Sequence, residues 1–286
     1  MWLICLMTLL GAAQIRELAA ALDLKPSKSL GQNFVIDSNV CTKIVRTAAV
    51  GPTDIALEIG PGLGSLTLAL LESAASVVAV EIDSRLAGQL PITVASHFEH
   101  PENLTVLNQD ALTIQTLPVD PTVLVANLPY NVSVPVLLHL LEKFESLRTG
   151  VVMVQAEVAD RLAAKPGTKD YGIPSVKAAW WADVKGAGSV SRSVFWPAPN
   201  VDSKLVSFTR RQTPGDEVLR RKVSTIIDAA FAQRRKMLRS ALSGLYGSSS
   251  AAEEILTRAK IDPTLRGEAL EIAGFCAIAA VAPDIF

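Results

Sequence analysis

Between residues 54 and 210, short apolar runs rich in β-branched residues alternate with longer stretches of helical periodicity, such as 65–74 and 84–96. Five of these runs contain no regular polar positions, as is typical of parallel strands covered on both faces. Two later runs, at 187–191 and 205–209, would complete the sheet. The pattern predicts an α/β, Rossmann-like fold with a mostly parallel, seven-stranded sheet. The five runs are residues 55–59, 77–82, 104–107, 122–126 and 151–155.

After Pro214-Gly215 the hydrophobic pattern becomes helical throughout. It predicts an α/β domain over residues 25–212, followed by a small all-helical domain over 213–286. Residues 1–24 form an N-terminal extension, in which 14–22 have an amphipathic helical pattern. The predicted helices of the second domain are residues 217–231, 234–245, 251–259 and 267–280.

The first thirteen residues are apolar but lack the basic start of a signal peptide, and they are too short to span a bilayer. Met7 is an alternative start. The chain has only three cysteines, with no Cys-x-x-Cys, and its histidines show no metal-ligand spacing. We expect a cytoplasmic monomer with no membrane association, no disulfide framework and no metal site.

The charges of the chain are unevenly distributed, although the net charge is only −1. Residues 204–239 contain ten basic and three acidic residues, so this segment carries +7 and the rest of the chain −8. A basic segment in an acidic chain is typical of a surface that binds phosphate groups. Basic helix faces are also often plain solvated surface, and charge alone does not distinguish the two.

A glycine-rich loop follows the first predicted strand at residues 58–64, which read Glu-Ile-Gly-Pro-Gly-Leu-Gly. Glycine lets the backbone turn sharply and approach a ligand without a Cβ in the way. Gly60 and Gly62 therefore indicate a ligand-binding turn, although many such loops are plain strand-to-helix connections. The dinucleotide fingerprint requires a glycine where Ser65 stands, so a nicotinamide enzyme is not favoured.

Two carboxylates follow the next two predicted strands. Glu81 ends the second strand, 21 residues after Gly60, where it can accept both ribose hydroxyls of a nucleoside. Asp110 follows the third strand and is placed to accept a hydrogen bond from an adenine amine. Taken alone, Glu81 could cap a helix and Asp110 could form a turn. Together with the glycine loop they lie beyond successive strands, where open α/β sheets bind ligands.

Residues 127–130, after the fourth predicted strand, read Asn-Leu-Pro-Tyr. The exocyclic amine of adenine is a poor nucleophile because its lone pair is delocalised into the ring. Acceptors at the Asn127 side chain and the Leu128 carbonyl would favour a pyramidal nitrogen, and Pro129 restricts the backbone beside them. Tyr130 offers a face on which an extruded base can stack. The motif fits methyl transfer to this amine, although most isolated examples of it are structural loops.

Motifs along nearly the whole chain resemble the ribosomal RNA adenine N6-dimethyltransferases, in particular the bacterial enzymes of the small subunit. The resemblance implies a class I methyltransferase that uses S-adenosylmethionine and releases S-adenosylhomocysteine. It implies the small ribosomal subunit as partner, and two adjacent dimethyladenosines in the 3′-terminal hairpin of 16S rRNA as product. Besides the glycine loop and residues 127–130, the motifs lie at residues 28–34, 155–162, 169–172, 195–203 and 231–236.

The same resemblance implies roles for individual residues. Tyr130 and Phe195 would sandwich the target adenine. Val35 stands where the family more often has leucine. The catalytic set is Asn127, Leu128, Pro129, Tyr130 and Phe195. The cofactor contacts are Asn33, Val35, Gly60, Gly62, Glu81, Asp110 and Asn127.

The helical domain carries the predicted RNA-binding residues. In the helix predicted over 234–245, Arg235 and Arg239 would be i,i+4 neighbours on one face. Beside the methyltransferase motifs, phosphate binding to the RNA backbone becomes the favoured interpretation of this charge. The predicted RNA-binding residues are Arg220, Arg221, Lys222, Arg234, Arg235, Lys236 and Arg239.

Two alternatives stay open at this point. A large-subunit rRNA methyltransferase of the macrolide-resistance type would share the fold and the reaction, but the motifs at 28–34, 171–172 and 233–236 resemble the small-subunit enzymes better. A ribosome-assembly factor would bind RNA with methylation incidental or absent. The intact glycine loop, Glu81 and residues 127–130 favour an active enzyme.

Overall fold

The computed structural model describes residues 9–24 and 32–283 and divides into two compact units. The first unit contains the chain up to Ala159 together with Gly186–Thr209, and the second contains Asp160–Lys185 and the chain from Arg210. The alternative start at Met7 and residues 28–31 of the first family motif lie outside the described residues.

Nine strands occur in the described part of the chain. They are β1 (Phe34–Val35), β2 (Ile55–Ile59), β3 (Ser76–Glu81), β4 (Leu104–Asn108), β5 (Val123–Asn127), β6 (Thr149–Gln155), β7 (Ala182–Val190), β8 (Phe195–Trp196) and β9 (Ser203–Arg210).

Seven helices precede β7. They are α1 (Ala12–Ala21), α2 (Ser38–Thr47), α3 (Ser65–Leu71), α4 (Ser84–His97), α5 (Ser133–Lys143), α6 (Ala156–Ala163) and α7 (Ile173–Ala178). Five more follow β9. They are α8 (Glu217–Ala232), α9 (Leu238–Ala241), α10 (Ser243–Tyr246), α11 (Ser249–Arg258) and α12 (Ile272–Val281). Short 3-10 helices lie at Pro101–Asn103, Arg192–Val194 and Gly267–Ala269.

Seven strands form one sheet in the order β4-β3-β2-β5-β6-β9-β7. The strands β2 to β6 run parallel to their neighbours, whereas β9 runs antiparallel to β6. The chain leaves β2 for β3 on one side and returns to β5 on the other, which makes the β2–β5 boundary the switch point of the sheet. Open α/β sheets bind ligands at the carboxyl ends of the strands at such a point.

The central strands β2, β3, β5 and β6 are buried on both faces of the sheet, and their sequences are accordingly continuous apolar runs. Every residue from Val123 to Ala126 in β5 is buried, and so is every residue of α3. The predicted α/β fold with its mostly parallel, seven-stranded sheet is confirmed. The strand expected at 187–191 begins earlier, at Ala182. The prediction missed its first half because buried apolar and exposed polar residues alternate there and do not form a continuous apolar run.

A second, two-stranded sheet brings two distant segments of the first unit together. In it β1 pairs with β8, with Val35 opposite Phe195 and Phe34 opposite Trp196. The Ser65 hydroxyl donates a hydrogen bond to the Val35 carbonyl at 2.7 Å, so the first residue of α3 holds β1 in place.

In the second unit, α8 begins at a side-chain cap, because the Asp216 carboxylate accepts a hydrogen bond from the Leu219 amide at 2.9 Å. Its other end packs into an aromatic cluster, in which the centroid of the Phe231 ring lies 6.3 Å from that of Tyr171 and 6.2 Å from that of Phe275. The Tyr171 hydroxyl donates to the Leu270 carbonyl at 2.8 Å. No helix of the described ranges is long and apolar enough to cross a membrane.

The prediction of one helix over residues 234–245 is wrong. Helix α8 ends at Ala232, because Gln233 leaves the helical region with φ −124° and ψ 56°. A turn follows, in which the Lys236 amide donates to the Gln233 carbonyl at 2.8 Å. The short helices α9 and α10 take the place of the rest. Arg235 and Arg239 therefore do not share a helix face.

Partners far along the chain impose this break. The Leu238 amide donates to the Leu265 carbonyl at 2.7 Å, and the Arg239 amide donates to the Pro263 carbonyl at 3.2 Å. These bonds replace the ones that a continuing α-helix would make, and no local periodicity reveals them. The helix expected over 267–280 also differs, since a 3-10 turn at Gly267–Ala269 precedes α12.

Candidate active site

The glycine loop after β2 has the backbone that its sequence predicts. Gly60, Gly62 and Gly64 have φ values of +68°, +58° and +100°, a region that residues with a Cβ rarely occupy. At Gly62 an added Cβ would also lie 3.0 Å from the Phe34 ring. Glycine is therefore needed here both for the turn and for the close approach of β1.

Glu81, the last residue of β3, is 6% exposed and points its carboxylate at the loop. One oxygen accepts a hydrogen bond from the Gly62 amide at 3.1 Å, and the other accepts one from the Asp83 amide at 3.0 Å. Burial raises the pKa of Glu81, and the two amide bonds oppose that shift. Since each carboxylate oxygen can accept a second bond, the group still has capacity for two hydroxyl donors.

Glu58 is a buried acid whose role the sequence did not assign. It is 1% exposed, although it lies within the otherwise apolar β2. Burial raises its pKa from 4.5 to about 8, despite a hydrogen bond from the Thr67 hydroxyl at 2.6 Å, and the Glu81 charge raises it further. An acid inside an apolar strand was the available signal, because such a position is expected to be buried.

Asp110 follows β4 and lines the same cavity as Glu81. One of its carboxylate oxygens accepts a hydrogen bond from the Leu112 amide at 2.9 Å, which is the turn geometry expected of this residue type. The turn and the ligand-binding interpretations are compatible, because this bond uses one acceptor site of a carboxylate that has several.

Asn127 ends β5, and its orientation is fixed by a segment far from it in sequence. Its amide nitrogen donates to the Asn33 carbonyl at 3.1 Å, so the side-chain oxygen remains available as an acceptor. The next residue, Leu128, is 1% exposed, and its amide donates to the Met153 carbonyl at 3.1 Å. This bond anchors the backbone that also presents the Leu128 carbonyl.

The two rings predicted to sandwich the base do not line the cavity. The Tyr130 hydroxyl lies 2.8 Å from the Ser203 hydroxyl, which tethers it to the start of β9. Phe195 is 3% exposed, in the strand that pairs with β1. Stacking of the target adenine between Tyr130 and Phe195 stays a prediction. The Phe195 ring is buried in this structure and would have to become exposed to contact a base.

One cavity lies where β2, β3 and β5 end, and all seven predicted cofactor residues line it. Sequence reasoning missed several of its residues, including Asn131 and Ile82, the latter 53% exposed directly after Glu81. An isoleucine between two acidic residues at the end of a predicted strand is the signal that the sequence offered for it. The predicted residues in the lining are Asn33, Val35, Gly60, Gly62, Glu81, Asp110, Asn127 and Pro129.

The predicted RNA-binding residues lie in the second unit, and most of their side chains have partners. Arg220 and Arg221 bond the Glu217 carboxylate at 2.6 and 2.8 Å. These bonds, chiefly the one from Arg220, lower the pKa of Glu217 to about 2. Lys222 donates to the Ala282 carbonyl at 2.7 Å. The contacts of Arg220 and Arg221 with Glu217 are exposed, so they are weak and can be exchanged for a phosphate, whereas the Lys222 contact is part-buried.

The remaining basic residues divide into two groups. Arg239 bonds Glu253 at 3.1 Å, and Arg234 bonds Glu268 at 2.9 Å. For Arg235 and Lys236, no side-chain partner occurs in the described part of the chain. These two exposed residues are therefore the cations most readily available to a ligand.

A glycine-rich loop at the switch point, together with a sheet whose strand β9 is reversed beside β6, defines the fold of a class I methyltransferase. The model of the ribosomal RNA adenine dimethylase family matches residues 24–283 of the chain. The chain belongs to this family, whose methyl donor is S-adenosylmethionine. The buried Glu81 and the positive-φ turn at Gly60, Gly62 and Gly64, which line or adjoin the cavity, fit the nucleoside part of that cofactor.

Relatives agree with this assignment. A ribosomal RNA small subunit methyltransferase A of Streptomyces avermitilis is 58% identical over 274 residues, covering 95% of this chain and 93% of that protein. A protein of the same name from Kineococcus radiotolerans is 57% identical over 279 residues, covering 97% and 93%.

Two solved structures share the fold. The 23S rRNA methyltransferase ErmE has a TM-score of 0.65 at 25% identity, covering 87% of this chain and 98% of that one. A dimethyladenosine transferase of Plasmodium falciparum has a TM-score of 0.72 at 24% identity, covering 85% and 94%.

Proposed function

We propose that this enzyme transfers methyl groups from S-adenosylmethionine to the N6 amines of two adjacent adenosines in the 3′-terminal hairpin of 16S rRNA. Each amine receives two methyl groups. The observation that carries the proposal is the hydrogen bond from the Asn127 amide to the Asn33 carbonyl, 3.1 Å long. It turns the Asn127 oxygen into a fixed acceptor at the edge of the cofactor cavity.

The residues at the end of β5 would activate the amine. The Asn127 oxygen and the Leu128 carbonyl would accept hydrogen bonds from its two N–H groups, which favours a pyramidal nitrogen and frees the lone pair for attack. As the new nitrogen–carbon bond forms, the carbon–sulfur bond of the donor would break, S-adenosylhomocysteine would leave, and the extra proton of the amine would pass to solvent. Pro129 has no amide hydrogen and restricts its neighbours, so it keeps the Leu128 carbonyl in position. Catalysis then rests on positioning and preorganised acceptors.

The glycine loop and the residues that line the cavity beside it would hold the donor. Glu81 accepts the ribose hydroxyls, and Asp110 accepts from the adenine amine of the cofactor. Asn33 and Val35 contribute main-chain contacts from the segment around β1. When bound, S-adenosylmethionine supplies an electrophilic methyl group on its sulfonium.

The small subunit is the favoured target. Relatives at 57–58% identity carry the small-subunit name, whereas the 23S enzyme ErmE is only 25% identical. A role limited to RNA binding during subunit assembly is not favoured, because the cavity keeps the residues that methyl transfer needs. A contribution to small-subunit biogenesis can accompany the reaction.

The proposal includes a division of labour along the chain. The predicted catalytic domain, residues 25–212, carries the methyl transfer, and residues 213–286 bind the RNA. Residues 1–24 are an N-terminal extension that contains α1. Since the substrate is the ribosomal subunit, the enzyme works in the cytoplasm. It acts as a monomer, which light scattering of the purified protein would test.

Primer extension across the 3′ hairpin of 16S rRNA tests the proposal. Subunits from a strain that lacks the enzyme should be copied through, and subunits treated with enzyme and S-adenosylmethionine should stop the polymerase at two adjacent adenosines. The Asn127→Ala variant serves as the inactive control. Methylation confined to 23S rRNA, or none on subunits that the enzyme binds, would contradict the proposal.

A further inference from the structure

Arg234 differs from its neighbours Arg235 and Lys236 in what its side chain contacts. The guanidinium bonds Glu268 at 2.9 Å through Nε. Through Nη2 it donates to the carbonyls of Thr168 and Lys169, the former at 3.4 Å. A planar guanidinium suits such an arrangement, because its donors point along fixed directions.

The loop between α6 and α7 is fastened from the same two residues. Besides the contacts of Arg234, the Gly167 amide donates to the Glu268 carbonyl at 2.8 Å. Glu268 itself is held in the 3-10 turn at Gly267–Ala269, where a Cβ on Gly267 would lie 3.2 Å from the Ala230 side chain. Arg234 and Glu268 thus form one clamp on residues 165–170.

The clamped loop carries cations of its own. Lys165 and Lys169 are exposed, and their side chains have no hydrogen-bond or ion-pair partner among the described residues. The same holds for Arg235 and Lys236 in the turn after α8. Because Arg234 lies in that turn and bonds the Lys169 carbonyl, the clamp joins the two basic segments.

We infer that Arg234 is a positioning residue of the RNA-binding surface. It holds the loop so that Lys165 and Lys169 join Arg235 and Lys236 in binding the phosphates of the substrate RNA. Its own donors at Nε and Nη2 are committed to Glu268 and the loop carbonyls. This inference rests on the proposed function and extends its RNA-binding surface to residues 165–170.

Glu268 provides the decisive comparison. If Arg234 bound phosphate directly, Glu268→Ala would free it, remove a negative charge and strengthen RNA binding. If Arg234 positions the loop, Glu268→Ala breaks the clamp and weakens binding even though the protein becomes more positive. The two roles therefore predict opposite signs for one substitution.

The experiment measures binding of the full-length protein to unmethylated small subunits at several KCl concentrations. Each lost phosphate contact should reduce the slope of log affinity against log salt by about 0.7–0.9. We expect Lys236→Ala to lose one contact. We expect Arg234→Ala and Glu268→Ala each to lose about two, with affinity reduced about tenfold at moderate salt. The double variant should be no weaker than either single variant, because both break the same clamp.

Two further measurements test whether Arg234 positions the loop. Glu268→Gln should keep most of the affinity, because the amide oxygen still accepts from Arg234. Hydrogen exchange of the Gly167 amide should accelerate in Arg234→Ala and Glu268→Ala but not in Lys236→Ala. Heat of S-adenosylhomocysteine binding identifies variants that have kept their fold.

Tighter or unchanged binding by Glu268→Ala, or unchanged exchange at Gly167 in both clamp variants, overturns the inference. Failure of the proposed function looks different, because the wild-type protein itself would then not bind or methylate the subunit.

Discussion

The glycine loop after β2 and the basic turn after α8 are both short, irregular segments that present functional groups, but they are held differently. The loop needs positive φ values, and the glycines that allow them are its own residues. The turn is held by main-chain bonds to Pro263 and Leu265 and by the bond from Arg234 to Glu268, 34 residues away.

This difference teaches which kind of site a sequence discloses. Where a conformation is limited by sterics within the segment, residue types report it directly. Where a conformation depends on partners elsewhere in the chain, the local pattern predicts the structure that the segment would adopt without those partners. For residues 234–245 that was a helix, and the structure has a turn.

The largest effect is expected at Asn127, which lines the same cavity as the glycine loop. Asn127→Ala removes the acceptor that faces the amine, so turnover should fall by about 10³-fold, comparable to loss of an oxyanion-hole donor. Cofactor affinity should fall much less. Tritiated methyl transfer under single-turnover conditions gives the rate, and calorimetry with S-adenosylhomocysteine gives the affinity. A wild-type rate would remove the amide from the mechanism.

The buried acid Glu58 in β2 and the ion-paired acid Glu217 at the start of α8 should respond to pH in opposite ways. The pKa of Glu58 rises from 4.5 to about 8 on folding, so the folded state binds its proton more tightly. Its contribution to stability is complete below pH 4.5 and is lost as pH rises toward 8, by at most about 1.4 kcal/mol per pH unit. Glu58→Gln should remove that dependence.

Urea denaturation between pH 5 and pH 9 gives the measurement. Glu217 supplies the contrast, because folding lowers its pKa from 4.5 to about 2. Its contribution to stability is therefore present above pH 4.5 and is lost only as pH falls toward 2. Glu217→Gln should therefore leave the pH dependence between 5 and 9 unchanged. Equal slopes for the wild type and Glu58→Gln would show that Glu58 is not the group responsible.

A smaller effect is expected for Gly62→Ala. The substitution forces a Cβ to a φ of +58° and to 3.0 Å from Phe34, so cofactor affinity should fall about tenfold or more. Gly88→Ala in α4 is the matched control, because nothing lies within 4 Å of its added Cβ. There the exchange should stabilise the helix by about 0.5–1 kcal/mol. Calorimetry and thermal melts compare the two, and equal affinities would contradict the steric argument.

The smallest effects should separate basic residues by their partners. Arg235→Ala should weaken small-subunit binding several-fold, whereas Arg239→Ala should change it little, because the bond from Arg239 to Glu253 is part-buried and 3.1 Å long. Filter binding at two salt concentrations makes the comparison. Equal losses would mean that ion pairs inside the protein do not decide which cations meet the RNA.

Sequence reasoning therefore succeeded where chemistry and backbone are local. Apolar runs located the parallel strands, and residues after the strands located Glu81, Asp110 and Asn127 in one cavity. It did not find the Asn33 carbonyl that orients Asn127, because that contact joins residues 94 apart. Nor did it distinguish Arg234 from Arg235, since adjacent residues of similar type differ only in tertiary partners.

The two amide bonds that Glu81 accepts have a consequence for anyone who alters the enzyme's cofactor preference. The same carboxylate that would meet the ribose also fixes the Gly62 and Asp83 backbones, so the shape of the loop is set during folding. Little ordering is then left for the binding step. Any exchange at this position will therefore change scaffold and recognition together, and engineers should begin with Ile82, whose exposed side chain fixes no backbone.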